Sequence, residues 1–156
     1  MKRLKIYLDT SVISHLDAPD APDQQEDTFE LWEKLKAGEY DIVVSDATMD
    51  EIDRCNEPKY SYLMSELAKI SIEDAEKTIE AMRLRDLYLA IGGLPKKSDV
   101  DALHLAIATV YNCDIVLSWN FKHIVNYRAM TAVEAVNTRE GYKPIRILSP
   151  TMMKEV

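Results

Sequence analysis

The chain has 156 residues, 47% of them hydrophobic and 29% charged, with a formal net charge of −8. The length suits a single domain over residues 1–156 with one core, and the composition is that of an ordinary globular protein. The acidic balance argues against a passive polyanion binder, which is usually basic on at least one face. It leaves a nuclease open, because a bound metal supplies positive charge where the phosphate must sit. Cys55 and Cys113 have neither metal-like nor disulfide-framework spacing. No stretch is apolar and long enough to span a membrane, and Asp9 arrives before a signal-peptide core could form. A cytoplasmic protein is the expectation.

Lys5 to Leu8 reads as a short buried strand, and Ser11 to Leu16 as a broken helical turn. The acidic, Pro-containing stretch from Asp17 to Asp23 reads as a loop. Thr28 to Lys36 follows as an amphipathic helix with Phe29, Leu31, Trp32 and Leu35 inward, stopped by Gly38. Tyr40 to Val44 is the second strand. Ser45 or Asp46 then caps a helix carrying Met49 and Ile52. After Pro58, Tyr60 to Leu67 forms another helix. Ile70 to Ile72 reads as a third strand and Glu73 to Ile91 as a long helix ended by Gly92-Gly93-Leu94-Pro95.

The most apolar helix runs from Ser98 to Asn112. Ile115 to Ser118 is the fourth strand, Phe121 to Tyr127 a short helix and Met130 to Thr138 a further one. Pro144 to Leu148 makes a fifth strand, placed at an edge because Pro144 cannot donate to a ladder. Strands separated by helices predict an α/β fold of three layers, α/β/α, with about five parallel strands and helices on both faces.

Three acids stand where an apolar strand ends or a helix begins: Asp9, Glu51 and Asp101. In open parallel sheets, ligands bind outside the carboxyl ends of the strands. Carboxylates gathered there repel one another, and a divalent cation is the usual partner that holds them. Each acid also has an ordinary reading. Asp9 would cap the turn at Thr10, Glu51 would be one solvated charge of a run with Asp46, Asp50 and Asp53, and Asp101 would complete a capping box with Ser98. Asn120, just past the fourth strand, can ligate a hard metal through its carbonyl oxygen, orient a water, or cap a helix. His104 follows Asp101 by three and reads as a core histidine bonded to backbone rather than a ligand. His15 and His123 have no partner spacing. Lys122, His123, Arg54 and the pair Lys96-Lys97 are candidates for phosphate contacts. No HExxH, Gly-rich phosphate loop or GxSxG elbow occurs, so nucleophilic serine or cysteine chemistry has no support.

The motifs Leu8-Asp9-Thr10-Ser11, Val44-Ser45 with Glu51-Ile52, Asp101-Ala102-Leu103-His104-Leu105-Ala106 and Leu117-Ser118-Trp119-Asn120-Phe121, in that order, cover nearly the whole chain. In them the chain resembles PIN-domain ribonucleases, specifically toxin-like members of VapC type. The resemblance implies a PIN-like parallel sheet between helical layers and Mg²⁺ or Mn²⁺ held by acids at its carboxyl edge. It further implies hydrolysis of RNA phosphodiesters and a cognate antitoxin protein that inhibits the nuclease. Matching motif positions makes Asp9, Glu51 and Asp101 the carboxylate ligands. Asn120 departs from the pattern, since the family often has an acid there; three charges instead of four favour one firmly held ion. Members usually form homodimers, and Tyr62, Leu63 and Met64 are a candidate seam. The competing reading is a non-catalytic PIN-fold domain that binds RNA or protein. A receiver-like domain fits poorly, because the fifth strand ends in Leu148-Ser149-Pro150 with no lysine until Lys154.

Overall fold

A computed structural model describes residues 2–156. The strands β1 (Lys5–Leu8), β2 (Asp41–Ser45), β3 (Ile72–Ala75), β4 (Ile115–Leu117) and β5 (Arg146–Leu148) form one parallel sheet in the order β3-β2-β1-β4-β5. The first half of the chain builds outward from β1 in one direction and the second half in the other. The switch in strand order therefore falls at β1 and β4.

Alternation along the three central strands divides the core into two layers, because successive strand residues point to opposite faces. Ile6, Leu8, Ile42, Val44, Ile115 and Leu117 face α1 (Thr10–Ser14), α2 (Pro22–Lys36), α3 (Asp46–Ile52) and α4 (Lys59–Leu67). Tyr7, Val43, Val116 and Ile147 face α5 (Ile79–Ile91), α6 (Asp99–Val110) and α7 (Tyr127–Glu140). The three-layer α/β/α expectation matches this arrangement. None of these helices is long and apolar enough to cross a membrane.

Several boundaries differ from the sequence reading. α2 starts at Pro22, whose missing N–H costs nothing in the first helical turn, so the supposed loop is partly helix. Phe29 turns outward and is 41% exposed, while Leu31, Trp32 and Leu35 form the inward stripe. The third strand lies at 72–75 rather than 70–72. Its Glu73 and Asp74 pair with Val43 and Val44 of β2 on the open edge of the sheet, where charge is tolerated. α5 consequently begins six residues later than expected, with the Thr78 hydroxyl accepting from Ala81 N at 3.0 Å. Residues 121–126 form turns instead of a helix, tied by Asn126 Nδ2 donating to the Phe121 and Lys122 carbonyls. Leu63 is fully buried, so the proposed dimer seam on α4 lacks its central residue.

α5 stops at Gly92, whose φ of +89° is the left-handed conformation that ends helices. Gly93 then passes so close to α7 that a Cβ there would lie 2.0 Å from Ala132 Cβ and 2.8 Å from the Arg128 carbonyl oxygen. Gly93→Ala is therefore expected to destabilise the fold by about 3 kcal/mol, the upper range for overpacking. Urea unfolding checks this, and a loss under 0.5 kcal/mol, about the scatter of a neutral surface change, would contradict so close an approach.

Candidate active site

Asp9 is the first residue beyond β1, its N–H bonded to the Leu117 carbonyl at 3.0 Å. Its side chain is 7% exposed and caps nothing. Instead Oδ2 accepts from Ser11 Oγ at 2.7 Å and from Ser118 Oγ at 2.8 Å. Ser11 and Ser118 are held in turn, by Trp119 N donating to Ser11 Oγ and Asn120 N donating to Ser118 Oγ, both at 2.9 Å. The segment after β4 thus grips the residues after β1. Oδ1, the other oxygen of Asp9, lies 3.5 Å from His104 Nε2.

Glu51 reaches the same place from α3, which Ser45 caps by accepting from Thr48 N at 3.2 Å. Glu51 Oε1 accepts from Thr10 Oγ1 at 2.8 Å and from His104 Nε2 at 2.7 Å. Burial pushes the Glu51 carboxyl up, but the His104 contact, Thr10 and Arg54 outweigh it and hold the group below the usual carboxylate range.

Asp101 enters from the first turn of α6. The capping-box alternative fails: Ser98 makes no side-chain cap bond. Asp101 Oδ2 pairs with His123 Nδ1 at 3.1 Å, and Oδ1 accepts from Asn120 Nδ2 at 3.3 Å. Burial first, and the negative charge of Asp9 second, push its carboxyl above the ordinary range despite His123. Asn120 stands beside Asp101, with its carbonyl oxygen accepting His123 N–H at 2.9 Å. Its oxygen serves the turn, and its amide faces the acid.

His104 is buried, as expected of a core histidine, but its partners are side chains and not backbone. Nδ1 lies 2.5 Å from Tyr7 OH, and Tyr7 OH lies 2.6 Å from Ser45 Oγ. Burial pulls His104 toward neutrality, but the Glu51 hydrogen bond and the charges of Asp9, Glu51 and Asp101 outweigh it and raise the ring above its usual range. His123, which had no partner spacing, reaches Asp101 across 22 positions. The three-residue interval from Asp101 to His104 announced none of these contacts; it brings only the charge of Asp101 to bear on the ring. Of the other candidates, His123 bonds Asp101, Lys122 lines a cavity together with His123, and Arg54 enters only as a charge felt by Glu51.

The donor set suits a hard divalent cation: oxygen ligands at the carboxyl edge, two of them carrying mutually repelling charge that no lysine or arginine contacts. As the side chains stand, no three His, Cys, Asp or Glu groups among the described residues close around one point. Glu51 leans to His104 and Asp101 to His123. The residues fit such an ion chemically, with Asp9 Oδ1 and Glu51 Oε2 left without a short hydrogen bond.

No protein-family model matches the chain, and no curated protein matches it in sequence. Solved structures do match in shape. VapC20 from Mycobacterium tuberculosis, described as a toxin cleaving the sarcin–ricin loop, superposes with a TM-score of 0.54 at 18% identity, over 71% of this chain and 86% of that one. VapBC2 from Rickettsia felis, bound to a DNA fragment from its promoter, contains a chain that superposes with a TM-score of 0.53 at 14% identity, over 94% of this chain and 98% of that one. This chain has the VapC fold. On that fold Asp9, Glu51, Asp101 and Asn120 gather at the carboxyl edge of the sheet, where the strand order switches.

Proposed function

We propose that the protein is a metal-dependent ribonuclease that hydrolyses RNA phosphodiester bonds, acting in the cytoplasm as the toxin of a toxin–antitoxin pair. One observation carries this reading: Asp9 is buried and Asp101 half-buried, and they are close enough for the charge of one to raise the carboxyl of the other. The VapC fold, shared with an RNA-cleaving toxin and with a component of a toxin–antitoxin complex, supports it. Asp9, Asp101 and Glu51 would hold Mg²⁺ or Mn²⁺. Such an ion supplies Lewis acidity toward the phosphodiester and makes water a better nucleophile at neutral pH.

The protein's own groups fix the acids. Ser11 and Ser118 hold Asp9 through Oδ2, leaving Oδ1 toward the centre. Thr10 and His104 anchor Glu51. Because Glu51 is held below the usual carboxylate range, it suits a ligand's permanent charge better than a proton acceptor's role. Asn120 and His123 restrain Asp101. A cognate antitoxin and self-association into a homodimer belong to the same proposal.

One observation favours the non-catalytic alternative: both oxygens of Asp101 already have protein partners. Mn²⁺ binding followed by electron paramagnetic resonance separates the two. The nuclease reading expects saturable binding in the wild type, at least tenfold weaker in Asp101→Asn, together with Mn²⁺-dependent cleavage of single-stranded RNA lost in the variant. Equal, weak binding in both proteins with no cleavage would overturn it.

A further inference from the structure

Beside the acids lies a cavity of about 470 Å³, within the roughly 300–1,000 Å³ of small-molecule sites. Gly93 and Pro95, in the turn after α5, form one wall, and Lys122, His123, Tyr127 and Arg128 the other. No acid lines it, although Asp and Glu outnumber Lys and Arg in the chain by 27 to 19. Lys122 and Arg128 are exposed, and neither enters an ion pair among the described residues; Lys96 and Lys97, which follow Pro95, are likewise exposed and unpaired. Tyr127 stands at the rim with 79% of its surface exposed, an uncommon position for so large a ring, and Phe121 nearby is 45% exposed. His123 belongs to both places: it lines the cavity and bonds Asp101 at 3.1 Å.

We infer that this cavity is a nucleotide subsite, holding the residue of a single-stranded RNA next to the phosphate presented to Asp101. Its chemistry is complementary to that ligand. Unpaired cations suit backbone phosphates, and an exposed aromatic face suits an unstacked base. An ion held by the acids would neutralise charge only at the scissile phosphate, so a chain with net charge −8 needs local cations for the next one. Lys122 and Arg128 supply them. An acidic protein segment would also satisfy the cations, but it would leave the Tyr127 ring without a purpose. The subsite rests on the ribonuclease reading for what happens at Asp101, and its occupancy is measurable without turnover.

The test is fluorescence anisotropy of a fluorescein-labelled, mixed-sequence single-stranded oligoribonucleotide in EDTA, with the full-length wild type, Tyr127→Ala and the double variant Lys122→Ala/Arg128→Ala. All three positions are exposed, so the variants are expected to keep the fold, checked by circular dichroism. Tyr127→Ala should weaken binding roughly fivefold to a hundredfold, the range for losing one stacked base. The double variant should make the slope of log affinity against log salt shallower by about 1.4, corresponding to two single-strand phosphate contacts. Equal affinity and slope in all three proteins would overturn the subsite, as would a wild type that does not bind. Displacement of the RNA by polyglutamate with no effect of Tyr127→Ala would reassign the cavity to an acidic protein partner and overturn it too. Cleavage in Mn²⁺ is read separately. Cleavage insensitive to these variants keeps the nuclease and removes the subsite, while variant-sensitive binding without cleavage keeps the subsite and removes the nuclease.

Discussion

Asp9→Asn is expected to lower RNA cleavage on the order of 1,000-fold, the several kcal/mol of transition-state stabilisation that a metal ion supplies, while leaving the metal-free fold intact. The two effects separate because of where the side chain's contacts lie. Ser11 and Ser118 meet Oδ2, and hydroxyls can donate to an amide oxygen or accept from an amide nitrogen, so both contacts survive. The lost negative charge removes repulsion with Asp101 but also the attraction to His104, and these oppose each other. In EDTA the stability change should therefore stay within about 1 kcal/mol, or roughly 2–4 °C in a chain of this size. Metal reverses the comparison. At a Mn²⁺ concentration of about 100 times Kd the wild type gains about 2.7 kcal/mol, and the variant should gain almost nothing. Thermal unfolding with and without Mn²⁺ reads this apart from activity. A variant that keeps cleavage within tenfold of wild type, or keeps the Mn²⁺-induced rise in melting temperature, would remove Asp9 from the site.

The parts of the fold that could be read from the sequence are those where burial is symmetric. β1, β2 and β4 are covered on both faces, so they appear as unbroken apolar runs, Ile6-Tyr7-Leu8, Ile42-Val43-Val44 and Ile115-Val116-Leu117. β3 lies on the open edge, and with Glu73 and Asp74 inside it the run no longer looks like a strand; the charges read as the start of α5. The local signal that marks the true start is Thr78, whose hydroxyl caps the helix. The segment 121–126 misled for a different reason. Its spacing is helical, yet the Asn126 side chain bonds the Phe121 and Lys122 carbonyls, which a helix would have paired with backbone N–H groups.

Site legibility follows the same rule. Asp9 and Asp101 stand out because they sit just past a strand end and in the first turn of a helix, which is local information. Glu51, one residue from the end of α3, is marked only by the short helix that follows β2. What the acids touch is not local. His123 meets Asp101 across 22 residues and Tyr7 meets His104 across 97, so no spacing could announce either contact. Tyr127 ended a segment read as a helix and Arg128 fell between two helices, whereas both open α7, and that misreading concealed a rim.

His104→Leu is the variant that isolates this hidden part of the site. The ring joins β1 to α3 through α6: Tyr7 OH at Nδ1, Glu51 Oε1 at Nε2, with Ser45 Oγ beyond Tyr7. Burial raises the Tyr7 hydroxyl far above its ordinary range, so it stays protonated and available as a donor. With Ser45, Tyr7 and His104 bonded in series, a hydrogen faces Glu51 from Nε2 whether the imidazole is neutral or charged. Leucine keeps the volume and removes both bonds. Tyr7 then retains only Ser45, and Glu51 only Thr10. The loss of buried partners should cost roughly 1–3 kcal/mol, lowering the melting temperature by about 2–12 °C. Mn²⁺ affinity should fall tenfold to a hundredfold, as it does when a group supporting a ligand is removed. Stability loss alone would not distinguish positioning from packing, but His104→Gln does. Its amide N–H can reach where Nε2–H stood and restore the hydrogen bond to Glu51 while leaving Tyr7 without its partner. Gln should therefore recover most of the Mn²⁺ affinity and little of the stability. If Leu binds Mn²⁺ as the wild type does, or Gln binds it no better than Leu, His104 supports the core and does not position Glu51.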